Sequence, residues 1–119
     1  MTAPSRRALI TGITGQDGSF LSELLVERGY EVIGMVRGGP GAGLGLAGHL
    51  RDRITVVSGD VLRAESFTQA IGEVAADEIY HLAAPTFVPD SWREPRETIE
   101  AIAGATATVL EAVIASGAQ

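Results

Sequence analysis

A parallel α/β fold is predicted for this chain by three observations. Four short apolar runs alternate with segments whose apolar residues recur at spacings of three and four. The connections between them are short, and the first run passes through a glycine-rich turn directly into the first helical segment. Such alternation builds βαβ units, whose parallel sheet is covered by helices on both faces.

Each element has its own signal. Arg7 to Thr11 (RALIT) reads as a strand entering a tight turn, because a glycine follows it at once. The turn, Gly12 to Gly18, leads into a helix expected to bury Phe20, Leu21, Leu24 and Leu25 on one face, with Gly29 as its C-terminal cap. Glu31 to Val36 (EVIGMV) is the second strand. Gly38 to Gly48 holds six glycines in eleven residues and is expected to be a flexible loop, with a short helix after it near His49 and Leu50. Ile54 to Val57 is the third strand, ending at Ser58, Gly59 and Asp60. Ala64 to Ala76 carries Phe67, Ala70, Ile71 and Val74 at helical spacing. Glu78 to Ala83 (EIYHLA) makes the fourth strand. Thr86 to Pro95, with a proline at Pro89 and another at its end, is expected to be a loop, and Arg96 to Ser116 a long Ala-rich helix stopped by Gly117. The chain shows no internal repeat and no linker.

Composition narrows the function classes. At 119 residues the chain is one domain at most. Its hydrophobic share of 45% is too high for disorder. All 9 basic residues are arginine, against 15 acidic ones, and the net charge of −6 argues against nucleic acid or an anionic membrane as a partner held by bulk charge. No apolar run approaches the roughly 18 residues of a membrane span. Met1 to Ser5 lack the apolar stretch of a secretory signal. Without cysteine there is no disulfide or thiolate metal site, no metal is expected, and the cytoplasm is the default location. The missing lysine excludes a Schiff base, a P-loop lysine and a Tyr-x-x-x-Lys dyad: the residues four positions after Tyr30 and Tyr80 are Gly34 and Ala84.

The feature that carries chemistry is Gly12-Ile13-Thr14-Gly15-Gln16-Asp17-Gly18, a G-x-x-G-x-x-G spacing between a strand and a helix. The first glycine allows the tight turn, the middle one lets the backbone approach a pyrophosphate, and the last lets helix and strand pack closely. Amide N–H groups at the helix start then hold the phosphate charge. An acid at the end of the second strand would hold the ribose hydroxyls of NAD. This strand instead ends in Met35-Val36-Arg37-Gly38, and a cation there suits the 2′-phosphate of NADP, so NADP is favoured over NAD. Asp60, after the third strand, is placed either to accept from an adenine amino group or to cap the next helix. His81 reads as a satisfied core or interface residue and not a catalytic one, and Trp92 as a packing anchor.

These motifs resemble the extended short-chain dehydrogenase/reductase family. GITGQDGS followed by LSELLVERGYEV, then SGDV and DEIYHLAAPTFVPDSW, is similar within that family to GDP-mannose 4,6-dehydratases. The likeness runs through the whole chain except the Gly-rich loop. It implies a Rossmann-type sheet of order 3-2-1-4, the amino-terminal half of the fold. It implies that Gly12 to Gly18 wrap the pyrophosphate, that Arg37 meets the 2′-phosphate, and that Asp60 and Val61 flank adenine. Leu82, Ala83, Ala84 and Pro85 would line the inner half of the cofactor toward the nicotinamide. Four departures mark a divergent member: Gly38 replaces a second arginine, LAAPT replaces an LAAQS-like segment, Glu97 replaces a tyrosine, and Ala105-Thr106 replaces Gly-Thr.

In the family, the catalytic Ser/Thr, the Tyr-x-x-x-Lys pair and most sugar-nucleotide contacts follow the next strand. Residues 1–119 are therefore expected to be a single NAD(P)-binding domain, truncated before the catalytic and substrate-binding parts, and no catalytic residue is assigned. The resemblance implies a nucleotide-sugar substrate bound by further chain, and a homo-oligomer. The parent activity expected is nucleotide-sugar dehydration. A 4-epimerase or reductase of the same family and a catalytically inactive dinucleotide-binding module are the alternatives.

Overall fold

The computed structural model describes residues 5–118. Four strands, β1 (Arg7–Thr11), β2 (Glu31–Val36), β3 (Ile54–Ser58) and β4 (Glu78–His81), form one sheet in the order β3-β2-β1-β4. All pairings are parallel, with Ala8 opposite Val32 and Glu78, and Val32 opposite Ile54. The predicted order is the observed one.

The strands alternate their side chains between two cores, as a pleated sheet requires. Ala8, Ile10 and Val32 pack with Leu25 and Val26 of α1 (Gln16–Glu27) and with Leu44, Ala47 and Leu50. Leu9, Ile33 and Met35 pack on the other face with Phe67, Ala70, Ile71 and Val74 of α2 (Ala64–Val74), and with Val109 and Ala112. Phe67 is fully buried at the centre of this second core. Its replacement by alanine leaves a phenyl-sized cavity, so Phe67→Ala should cost about 3–5 kcal/mol. A urea titration should show the lowered midpoint.

Several boundaries differ from the sequence reading, each for a local reason. In α1 the buried residues are Gly18, Ser19, Ser22, Leu25 and Val26, whereas Phe20 and Leu24 are 60% and 43% exposed. The helix lies so close to the glycine turn that only small side chains fit beneath it, and the Ser22 hydroxyl donates to the Gly18 carbonyl at 2.6 Å. The Gly-rich loop is ordered into two 3₁₀ segments, Gly39–Gly41 and Gly45–Arg53. Arg51 straps the first by donating to the Pro40 carbonyl at 2.7 Å and the Ala42 carbonyl at 3.1 Å. The second covers the predicted short helix at His49 and Leu50. β3 runs one residue further, to Ser58, while β4 stops at His81 rather than Ala83. Helix α2 ends at Val74 because Ala75 turns left-handed, at φ 51°.

The region Thr86 to Pro95 is not the expected loop: Val88–Arg93 forms a short helix, α3. Proline suits the first turn of a helix, where its missing N–H has no partner to lose. Pro89 starts α3 in this way, and Pro95 starts the next segment, α4 (Pro95–Ile99). From Pro95 the chain stays helical through a π-type turn at Glu100–Gly104 into α5 (Ala105–Ser116). This 22-residue helix is long and apolar enough to cross a membrane, contrary to the sequence reading. Its buried residues are Ala101, Ala105, Val109 and Ala112, of which Val109 and Ala112 pack into the second core beneath the sheet.

Candidate functional site

Each strand delivers a loop to the carboxyl edge of the sheet, where ligands bind in this topology. There the structure forms a cleft of about 750 Å³. Gly12 and Thr14 follow β1, Arg37 and Gly38 follow β2, Gly59 to Leu62 follow β3, and Ala83 to Pro85 follow β4; all line the cleft.

The three glycines of the turn occupy different surroundings. Gly12 has φ +72°, a left-handed conformation that side chains disfavour, and a Cβ on it would stand 2.7 Å from the Ala83 nitrogen. A Cβ on Gly18 would stand 2.4 Å from the Gly12 carbonyl oxygen, so this glycine lets α1 close on the turn. A Cβ on Gly15 would meet only the Gly12 oxygen, at 3.5 Å. Gly15 is the N-cap of α1, with extended backbone and no side-chain cap, which leaves the first amides of the helix without an intrahelical partner. The structure thus has an open, uncapped helix start beside a cleft of dinucleotide size, and the residues present fit a pyrophosphate. Thr14 is held from outside: its carbonyl accepts from the Leu46 amide at 3.3 Å.

Of the residues singled out from sequence, Gly12, Thr14, Arg37, Asp60, Val61, Ala83, Ala84 and Pro85 come together in the cleft. Gly15, Gln16 and Asp17 are exposed at the start of α1, Gly18 is buried beneath it, and Leu82 is 42% exposed; these five stand outside the cleft lining. Arg37 is exposed and makes no ion pair among the described residues. Asp60 does not cap α2, whose N-cap is Arg63; its Oδ1 accepts from the Leu62 amide at 2.9 Å and closes the turn itself.

The opposite wall was not legible beforehand. Asp90 of α3, Glu94 between the two helices, and Glu97 and Thr98 of α4 line the cleft. Only Glu97 had stood out, as a departure from the family pattern. The signal available was the pair of prolines, which read as helix starts would have brought these side chains to the sheet edge. Nor does the sequence single out Thr11. Its buried hydroxyl accepts from the amides of Leu82 and Ala83 at 3.1 and 3.2 Å and lies 2.8 Å from His81 Nδ1. Burial holds His81 below its ordinary 6.5, so the neutral ring is the folded form and acidification below that value costs stability.

Neither tyrosine reaches the cleft. Tyr80 donates to Glu78 at 2.7 Å and Tyr30 donates to the same carboxylate at 3.2 Å, at the amino-terminal end of β4, where Arg6 joins them at 2.8 Å. The hydrogen bond to Glu78 pushes the Tyr80 hydroxyl up to about 12, away from the range of a proton-transfer group. No cluster of metal-binding side chains occurs among the described residues.

Known proteins share both sequence and shape with this chain. A GDP-mannose 4,6-dehydratase from Sordaria araneosa is 41% identical over 106 residues, covering 89% of this chain and 20% of that protein. The human GDP-mannose 4,6 dehydratase is 37% identical over 125 residues, covering 98% and 34%. Among solved structures, the Bordetella bronchiseptica enzyme WbmH in complex with NAD+ superposes with a TM-score of 0.75 at 30% identity, covering 96% of this chain and 37% of that one. UDP-glucose 4-epimerase from Thermotoga maritima, solved with UDP-glucose, superposes with a TM-score of 0.79 at 25% identity, covering 94% and 35%. The chain spans about a third or less of the curated relatives it matches. The family model for GDP-mannose 4,6 dehydratase matches residues 9–119, from β1 through every strand and helix that builds the cleft. The chain belongs to that family.

Proposed function

We propose that residues 1–119 are the dinucleotide-binding domain of a nucleotide-sugar 4,6-dehydratase, and that the dinucleotide is NADP(H). One observation carries the reading: an uncapped helix start and an open glycine, Gly15, lie beside a cleft lined by Gly12 and Thr14 of the same turn and by Arg37 in place of an acid. The pyrophosphate would lie on the turn Gly12 to Gly18, with Gln16 and Asp17 flanking it in the first turn of α1. Adenine would lie between Asp60 and Val61, and the nicotinamide half would run along Leu82, Ala83, Ala84 and Pro85. When bound, the dinucleotide supplies hydride transfer to and from the sugar; the chain's own residues bind and orient it. The nucleotide sugar itself would be held by chain beyond these residues, in a cytoplasmic homo-oligomer.

NAD is the competing cofactor, because WbmH was solved with NAD+. Arg37 separates the two. A guanidinium meeting a 2′-phosphate at an exposed site contributes about 1 kcal/mol, roughly a fivefold preference. Calorimetric titration of NADP(H) and NAD(H) should show that preference in the native chain and its loss in Arg37→Ala. Equal affinities for the two cofactors, unaltered by the substitution, would remove the NADP assignment.

A further inference from the structure

His81 has no part in the function proposed above, yet its surroundings are more constrained than packing requires. It is the register partner of Thr11 in the parallel β1–β4 ladder, and its ring stands 6.1 Å from the Phe67 ring at an interplanar angle of 55°. Thr11 is 1% exposed. Its Oγ1 lies 2.8 Å from His81 Nδ1, 3.1 Å from the Leu82 nitrogen and 3.2 Å from the Ala83 nitrogen.

A hydroxyl has one proton and two lone pairs. Two of its neighbours here are amide N–H groups, which can only donate. They take both lone pairs, and the hydroxyl proton is left for Nδ1. His81 Nδ1 is therefore the acceptor nitrogen, and the neutral ring carries its proton on Nε2. An imidazolium would bring a third donor to an oxygen with no lone pair left.

We infer that His81 is a positioning residue for the cofactor cleft: as the Nε2–H tautomer it orients the Thr11 hydroxyl, which holds the Leu82–Ala83 wall against the glycine turn. The consequence for the cleft follows from how closely that wall is packed. The Leu82 amide also donates to the Thr11 carbonyl at 3.2 Å, whereas the Ala83 amide donates to Thr11 Oγ1. No side chain separates the wall from the turn, since a Cβ on Gly12 would stand 2.7 Å from the Leu82 carbonyl carbon and from the Ala83 nitrogen. Movement of the wall is thus felt directly by the turn assigned to the pyrophosphate. Phe67 of α2 packs at a tilt beside the imidazole, and burial favours its neutral form.

The inference rests on the dinucleotide reading, and three variants separate the two. His81→Phe keeps an aromatic ring beside Phe67 but removes the acceptor. Thr11→Val removes the hydroxyl at nearly constant shape, and Thr11→Ser restores it. NADP+ titrations at neutral pH should show affinity reduced about tenfold in Thr11→Val, about threefold to fivefold in His81→Phe, and recovered to within about threefold of the native chain in Thr11→Ser. Long-range ¹H–¹⁵N spectra of the cofactor-free chain should show His81 as the Nε2–H tautomer, with the Nδ1 shift moving in Thr11→Val. A merely structural role would lower melting temperatures without moving the tautomer or the affinities of the folded variants. Failure of the native chain to bind either dinucleotide would sink the proposed function. Native binding with an Nδ1–H ring, or with affinities unchanged in folded His81→Phe, would overturn the positioning role alone. Should Thr11→Val not fold, His81→Phe and the ring spectrum decide the matter between them.

Discussion

Gly15→Val should lose dinucleotide binding by more than about a hundredfold while unfolding at nearly the temperature of the native chain. The expectation comes from what surrounds the glycine. Its backbone is extended (φ −85°, ψ 179°), a conformation any residue adopts, and an added Cβ meets nothing nearer than the Gly12 oxygen at 3.5 Å. The new side chain therefore intrudes on the space where phosphate oxygens would approach the helix amides, and on little else. Gly18→Ala should do the reverse. There the Cβ would stand 2.4 Å from the Gly12 oxygen and 2.6 Å from the Ile13 Cα, both backbone atoms that cannot step aside. Overpacking of that kind costs about 1–3 kcal/mol, so the variant should melt early. Calorimetry paired with thermal unfolding reads both effects. If Gly15→Val bound NADP(H) as the native chain does, the turn could not be a phosphate cradle.

The 119-residue polypeptide supplied with NADP and GDP-mannose should give no dehydrated or epimerised sugar nucleotide. Family resemblance implies proton transfer through a tyrosine whose pKa is lowered by a lysine four residues on. These residues contain no lysine at all. Both tyrosines are committed to Glu78 at the amino-terminal end of β4, and Tyr80 is raised to about 12 instead of lowered. Mass spectrometry of the nucleotide sugar after prolonged incubation is the direct check. Any product above a cofactor-free control would show that the cleft itself holds a general base.

Much of this architecture is legible in the sequence. The four strands follow from apolar runs interrupted by glycine turns, because a strand buried on both faces must be apolar throughout, while their order is what the family resemblance implies. The turn Gly12 to Gly18 was legible for a related reason: a glycine is needed wherever backbone meets backbone, and that need leaves a mark at fixed spacing. Arg37, Asp60 and the residues after β4 could be placed at the sheet edge, since each simply follows a strand.

The face that α1 buries was decided by the tertiary structure. Spacing put Phe20 and Leu24 inward, yet the tight approach of the helix to the turn admits Ser19 and Ser22 in their place. The acidic wall from α3 and α4 was decided in the same way, by two prolines whose local preference suits a loop or a helix start equally well. The bond between Thr11 and His81 joins residues 70 apart in the chain. By itself the sequence determined the parallel α/β sheet and the glycine turn at its carboxyl edge, because periodicity and glycine placement express the geometry of a segment's own backbone. Which side chains meet across the cleft was left to the register of distant strands and the approach distance of helices, and these exist only once the sheet has formed.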